Sequence, residues 1–132
     1  MNQRNTFQRT MTLDAVFALA NHPTADDVYN YLHQQYPQIS RTTVYRNLNK
    51  LCDSNDLARV KIFGSADRFD HNLVPHYHFK CNVCGEVCDL DIPYMEEIND
   101  MCHGIGGREV NAHQILFDGT CKSCLEKSKQ TI

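Results

Sequence analysis

Two cysteine pairs, Cys81-Asn82-Val83-Cys84 and Cys121-Lys122-Ser123-Cys124, stand 36 residues apart in a chain of 132. A CxxC turn aims two thiolates at one point, and two such turns supply the four sulfurs of a tetrahedral structural zinc shell. The separation exceeds that of a short zinc ribbon. It therefore predicts further elements between the knuckles, a helix over about 93–101 and a strand over about 110–117. The cysteines number seven, an odd count, and the opening residues Met1-Asn2-Gln3-Arg4-Asn5 carry no apolar export segment. Both features place the thiols in a reducing compartment, where zinc is favoured over disulfides or a redox pair. Residues 76–132 are too few to hold a core unaided, and a structural zinc contributes on the order of 10 kcal/mol of folding free energy.

The chain is 42% hydrophobic and 22% charged, without tryptophan, a composition that folds as one domain or two very small ones. No apolar run approaches the ~20 residues of a membrane span, so the expectation is a soluble, cytoplasmic protein with no membrane partner. The net charge of -3 argues against a uniformly basic nucleic-acid binder. The charge is uneven, however, at +1 over residues 1–75 and -4 over residues 76–132. Any contact with phosphate falls in the first part.

Leu13, Val16, Phe17 and Ala20 have the spacing of one helix face, and Asn21-His22-Pro23 ends that helix. Thr24 and Asp27 have the form of a capping box for a second helix, whose stripe is Ala25, Val28, Tyr29 and Leu32 and which Tyr36-Pro37 stops. Ser40 caps a third. Its apolar face is Val44, Leu48 and Leu51, and Thr42, Tyr45, Arg46 and Asn49 share the opposite face. Arg59-Val60-Lys61-Ile62-Phe63 alternates as a strand, residues 64–67 turn, and Arg68-Phe69-Asp70 returns. Three helices and a hairpin make a winged helix, in which the third helix lies in the major groove. The local charge over residues 41–61 is +3, and Arg4 and Arg9 add to it. A plain interaction module has the same pattern, so pattern alone leaves DNA binding and that alternative both open.

A second set of donors is chemically different. His76 and His78 flank Tyr77 at the start of a strand, where alternate side chains share a face. Asp89 follows the first knuckle, Asp70 ends the hairpin and His22 lies in the bend between the first two helices. Spacing does not connect these five. Cys52 reads as a small core residue, and Cys88 and Cys102 as free thiols.

Arg4-Asn5-Thr6-Phe7-Gln8-Arg9, His22-Pro23-Thr24-Ala25-Asp26-Asp27, Thr43-Val44-Tyr45-Arg46-Asn47-Leu48, Arg68-Phe69-Asp70, His76-Tyr77-His78 and both CxxC pairs, in this order, resemble the ferric uptake regulator (Fur) family of metal-responsive repressors. The resemblance implies an α+β protein. Residues 1–72 would be a winged-helix DNA-binding domain and residues 73–132 a small α+β dimerisation domain with structural zinc, joined by a hinge near residues 71–75. It implies zinc on Cys81, Cys84, Cys121 and Cys124, and regulatory Fe(II) or Mn(II) on His22, Asp70, His76, His78 and Asp89. It implies DNA contacts from Arg4, Arg9, Thr42, Tyr45, Arg46 and Asn49, and a homodimer on a palindromic double-stranded operator.

Iron-uptake members have Glu where Asp89 stands and often Asp between the histidines. Asp89 and Tyr77 here are similar to the peroxide-responsive branch, in which His22 and His76 are the expected sites of oxidation. An iron-, manganese- or zinc-responsive uptake repressor is the alternative within the family. Glu96 and His113 occupy positions of a further metal site in other members. Outside the family, a small metal-dependent hydrolase would need room for both water and substrate, which five protein donors do not leave.

Overall fold

The computed structural model describes residues 3–130, with side chains from residue 6 to residue 129. The chain divides into two compact units, Met1–Val74 and Pro75–Ile132. Among the described residues, no helix is long and apolar enough to cross a membrane.

The first unit is a winged helix built from α1 (Gln3–Leu19), α2 (Ala25–Gln35), α3 (Arg41–Asp53) and the antiparallel pair β1 (Ala58–Val60) and β2 (Arg68–Asp70). Both predicted caps are present. Thr24 Oγ1 accepts from Asp27 N at 3.1 Å while the Asp27 carboxylate accepts from Thr24 N at 3.0 Å. Ser40 Oγ accepts from Thr43 N at 3.1 Å. Each cap satisfies amide hydrogens that the first helical turn leaves without partners. Val16, Val28, Leu32, Val44, Leu48, Leu51, Leu57 and Phe69 form the core between the helices and the hairpin.

Helix α1 departs from its predicted stripe. Val16 is buried, but Phe17 is 52% exposed, and the buried face is Thr12, Ala15 and Val16. Small side chains permit close helix approach, and Thr12 is accommodated because its hydroxyl donates to Gln8 O at 2.8 Å. Phe17 instead stacks on His71, with centroids 4.7 Å apart. The hairpin is shorter than the alternation suggests. The ladder ends at Val60, and Phe63, expected in the strand, is exposed beside the left-handed Gly64 at φ 73°.

The second unit centres on β3 (Tyr77–Cys81), flanked by antiparallel β4 (Val87–Leu90) and parallel β5 (Leu116–Gly119), with α4 (Glu97–Cys102) and α5 (Lys122–Gln130) outside the ladder. The predicted strand over 110–117 is not formed as such. Residues 110–113 give their backbone hydrogen bonds to side chains: Val110 N donates to His103 Nδ1, Asn111 O accepts from Asn99 Nδ2, and His113 N donates to the Tyr94 hydroxyl, which donates to His113 O. Backbone groups satisfied in this way have no need of a strand partner. The helix expected from residue 93 begins at Glu97, and ahead of it Met95 N donates to the Tyr77 hydroxyl at 3.1 Å.

Candidate metal centres

Cys81 ends β3, a turn carries Cys84, and Cys121 and Cys124 enter α5. Gly85 makes the turn possible, since its φ of 80° is open to glycine at little cost, and its amide donates to Cys81 O at 2.9 Å. The four Sγ atoms lie within 4.8 Å of one another, with Cys84 and Cys121 at 3.8 Å. Zinc–sulfur bonds of about 2.3 Å in a tetrahedron place sulfurs ~3.8 Å apart. The cluster fits a structural zinc.

Backbone amides prepare it. Val83 N, Cys84 N and Cys121 N donate to Cys81 Sγ at 3.4, 3.5 and 3.3 Å. The Cys84 and Cys121 amides hold the Cys81 thiol down at about 6, whereas the hydrogen bond with Cys121 pushes Cys124 up to about 12. One sulfur is thus ready as a thiolate while another keeps its proton until a cation displaces it. All seven cysteines are free. Burial raises the Cys52 and Cys88 thiols, the opposite of activation.

Each unit also carries part of the imidazole and carboxylate set. In the first, Phe69 N donates to Pro23 O at 2.9 Å and Arg68 Nη1 to His22 O at 3.1 Å, tying β2 to the bend after α1. His22 Nε2 and Asp70 Oδ2 are then 3.2 Å apart. The bend itself is strained: Ala20, Asn21 and His22 have φ of 49°, 51° and 58°. For L-residues the left-handed region costs roughly 1–2 kcal/mol each.

In the second unit the β3–β4 register sets His78 opposite Asp89. His76 Nε2 and His78 Nε2 lie 3.1 and 3.5 Å from Asp89 Oδ1, and the two rings are 4.4 Å apart. Imidazole nitrogens with carboxylate oxygens suit Fe(II) or Mn(II), in contrast with the soft thiolate cluster.

Glu96 and His113 both bond the Asn99 side chain. Glu96 Oε2 accepts from Asn99 Nδ2 at 3.3 Å. The His113 ring is bonded at both nitrogens, to the Tyr77 hydroxyl at 2.6 Å and to Asn99 Oδ1 at 2.7 Å, and Tyr94 stacks on it at 4.4 Å. Tyr77, Tyr94 and His113 thus form a hydrogen-bonded aromatic cluster.

On α3, Thr42, Tyr45, Arg46 and Asn49 are all exposed. Tyr45 donates its hydroxyl hydrogen to Asp26, Arg41 donates to the same carboxylate, and Arg59 donates to Asn49 Oδ1 at 2.6 Å. Arg9 is bonded to Asp56 at 2.9 Å and Ser54 at 2.7 Å. The Arg4 side chain lies outside the described residues. Asp26, Arg41 and Arg59 were not distinguishable in the sequence, because their partners are distant along the chain.

The sequence model of the ferric uptake regulator family matches residues 1–117. The chain belongs to the ferric uptake regulator family. The peroxide-responsive repressor PerR of Staphylococcus aureus (strain USA300) is 34% identical over 124 residues, spanning 94% of this chain and 84% of that one. The solved Campylobacter jejuni peroxide stress regulator superposes with a TM-score of 0.75 at 28% identity, covering 92% of each chain. The Helicobacter pylori ferric uptake regulator, whose structure is described as having three functional metal binding sites, gives a TM-score of 0.75 at 21% identity, over 89% of this chain and 79% of that one.

Ferric uptake regulators are dimeric DNA-binding transcription regulators, not enzymes, which sets the hydrolase reading aside. This member of the family is a metal-dependent repressor of the winged-helix α+β class.

Proposed function

We propose that this repressor senses hydrogen peroxide in the cytoplasm through a regulatory Fe(II) held jointly by His22 and Asp70 of residues 1–72 and by His76, His78 and Asp89 of residues 73–132. Cys81, Cys84, Cys121 and Cys124 hold structural zinc and take no part in sensing. The observation that carries the reading is the division of donors: a His–Asp pair in one unit and a His–His–Asp triplet in the other. Neither subset is a full shell for a hard divalent cation.

Joint ligation fixes the angle between the units and so the separation of the two α3 helices in a dimer on a palindromic operator. A co-repressor acts only through its preference for one conformer over another. Ferrous iron held by these residues would supply redox chemistry towards peroxide beside its own ligands. Overall, one H2O2 would give one oxygen atom to an imidazole carbon of His22 or His76 and leave as water, and that imidazole would lose donor strength and release the clamp. Arg4, Arg9, Thr42, Tyr45, Arg46 and Asn49 form the DNA-contacting set.

Protein loaded with Zn(II) and Fe(II) should, after peroxide, show one added oxygen on peptides containing His22 or His76, together with loss of DNA retention. Retention restored by Mn(II) should weaken steeply with salt. Unmodified histidines with oxidised Cys88 would replace the reading with a thiol switch. Unmodified histidines and undiminished DNA binding would leave an uptake repressor responsive to iron, manganese or zinc.

A further inference from the structure

The N-terminal end of α3 is held by a single acid from the neighbouring helix. Asp26, in the first turn of α2, accepts through Oδ1 from both the Tyr45 hydroxyl and Arg41 Nη1, the latter at 2.5 Å. The Arg41 guanidinium also lies 4.4 Å above the Tyr29 ring. The same carboxylate raises the Tyr45 phenol above its usual value, consistent with a hydrogen held on that oxygen.

The inventory of hydrogens decides what remains available. A carboxylate accepts only, so the phenol is necessarily the donor, and a phenol has one hydrogen to give. Tyr45 retains oxygen lone pairs and ring carbons. Guanine presents acceptors, O6 and N7, to the major groove, whereas adenine and cytosine present an amino donor and thymine a methyl group. Arginine is the side chain best matched to guanine, and Arg41, which keeps other N–H hydrogens, is turned back towards α2 by the same carboxylate and by the Tyr29 ring. The first turns of a recognition helix are the ones that reach base edges.

From this we infer that Asp26 is a specificity-determining residue: it takes the Tyr45 hydroxyl hydrogen and holds the Arg41 guanidinium back over Tyr29, so the base steps beneath that turn are selected against guanine. The inference rests on the reading of α3 as the DNA-contacting helix. Asp26 acts through Tyr45 and Arg41 and is a positioning residue. Its exposed place on α2 separates it from the core and from the Thr24–Asp27 cap.

The test is selection of bound duplexes from a randomised library by the full-length protein loaded with Zn(II) and Mn(II), comparing wild type, Asp26→Ala and Asp26→Asn. Wild type should deplete guanine at one step in each half-site. Asp26→Ala should raise guanine there by about fivefold or more, the lower range of one good base contact. Asp26→Asn keeps an oxygen that accepts both hydrogen bonds, so it should retain the wild-type preference. A purely structural role would alter yield or stability and leave the selected bases unchanged. Identical selected sequences for wild type and Asp26→Ala would overturn the inference while leaving α3 as the reader. A wild-type pool with no enriched sequence would overturn the reading of α3 and the inference with it.

Discussion

Replacing Tyr77 with phenylalanine removes one oxygen from the centre of the second unit and leaves the ring. That oxygen is bonded to His113 Nε2 at 2.6 Å and accepts from Met95 N at 3.1 Å, and the residue is only 1% exposed. The bonds form one consistent set when His113 Nδ1 carries the ring hydrogen and donates to Asn99 Oδ1. The substitution leaves Nε2 and one amide hydrogen without a partner. Each such group costs about 1–3 kcal/mol when buried. His113 is half-buried and can regain water, so the lower end applies and the sum is about 2 kcal/mol. For a unit of this size, ~2 kcal/mol lowers Tm by roughly 8–16 °C.

The assay is thermal unfolding of the zinc-loaded protein at fixed protein and free zinc concentrations, since both shift the apparent Tm by mass action. Zinc content is measured in parallel. A Tyr77→Phe protein that keeps its zinc and loses less than about 0.5 kcal/mol, the margin of an ordinary surface change, would refute the claim that this cluster fastens β3 to the segment before α4.

Zinc uptake by the reduced, metal-free protein should release fewer than four protons at pH 7.5, because Cys81 at about 6 is already ionised there, whereas Cys124 at about 12 still has its proton to give. As pH falls through 6, Cys81 must also be deprotonated by the metal, so affinity drops more steeply. Calorimetry in buffers of different ionisation enthalpy counts the protons, and four at pH 7.5 would contradict the assignment. Ala20→Gly should stabilise the winged helix by about 0.5–1 kcal/mol, because glycine adopts the φ of 49° found there without the penalty that alanine bears. Urea unfolding reads the change, and a loss of stability would refute it.

Local chemistry was legible along the chain. Thr24, Asp27 and Ser40 act within one helical turn, and each CxxC closes within four residues, so sequence spacing and spatial distance are the same thing there. The shared face of His76 and His78 was legible for the same reason, one strand, whereas only the family resemblance joined Asp89 to them. Contacts set by packing were not. Phe17 lies on the apolar stripe by spacing, yet the smaller Thr12 and Ala15 take the interior, because closeness of helices outweighs side-chain area at that face. Residues 110–113 alternate well enough for a strand but spend their amides and carbonyls on His103, Asn99 and Tyr94. Helix α5 carried too few apolar positions to be read, and strand β4 is only four residues long. The pairing of His22 with Asp70 depends on Phe69 and Arg68 reaching back to the carbonyls of Pro23 and His22, a connection of over 40 residues that no spacing encodes.

Those same two bonds make the wing and the kink after α1 a single crank. Strand β2 cannot slide along the groove side without dragging the imidazole of residue 22, and a grip on that ring is equally a grip on the hairpin. A repressor so wired has no need of a long relay: the tooth that would catch the ion and the blade that flanks the recognition helix are cut from one piece.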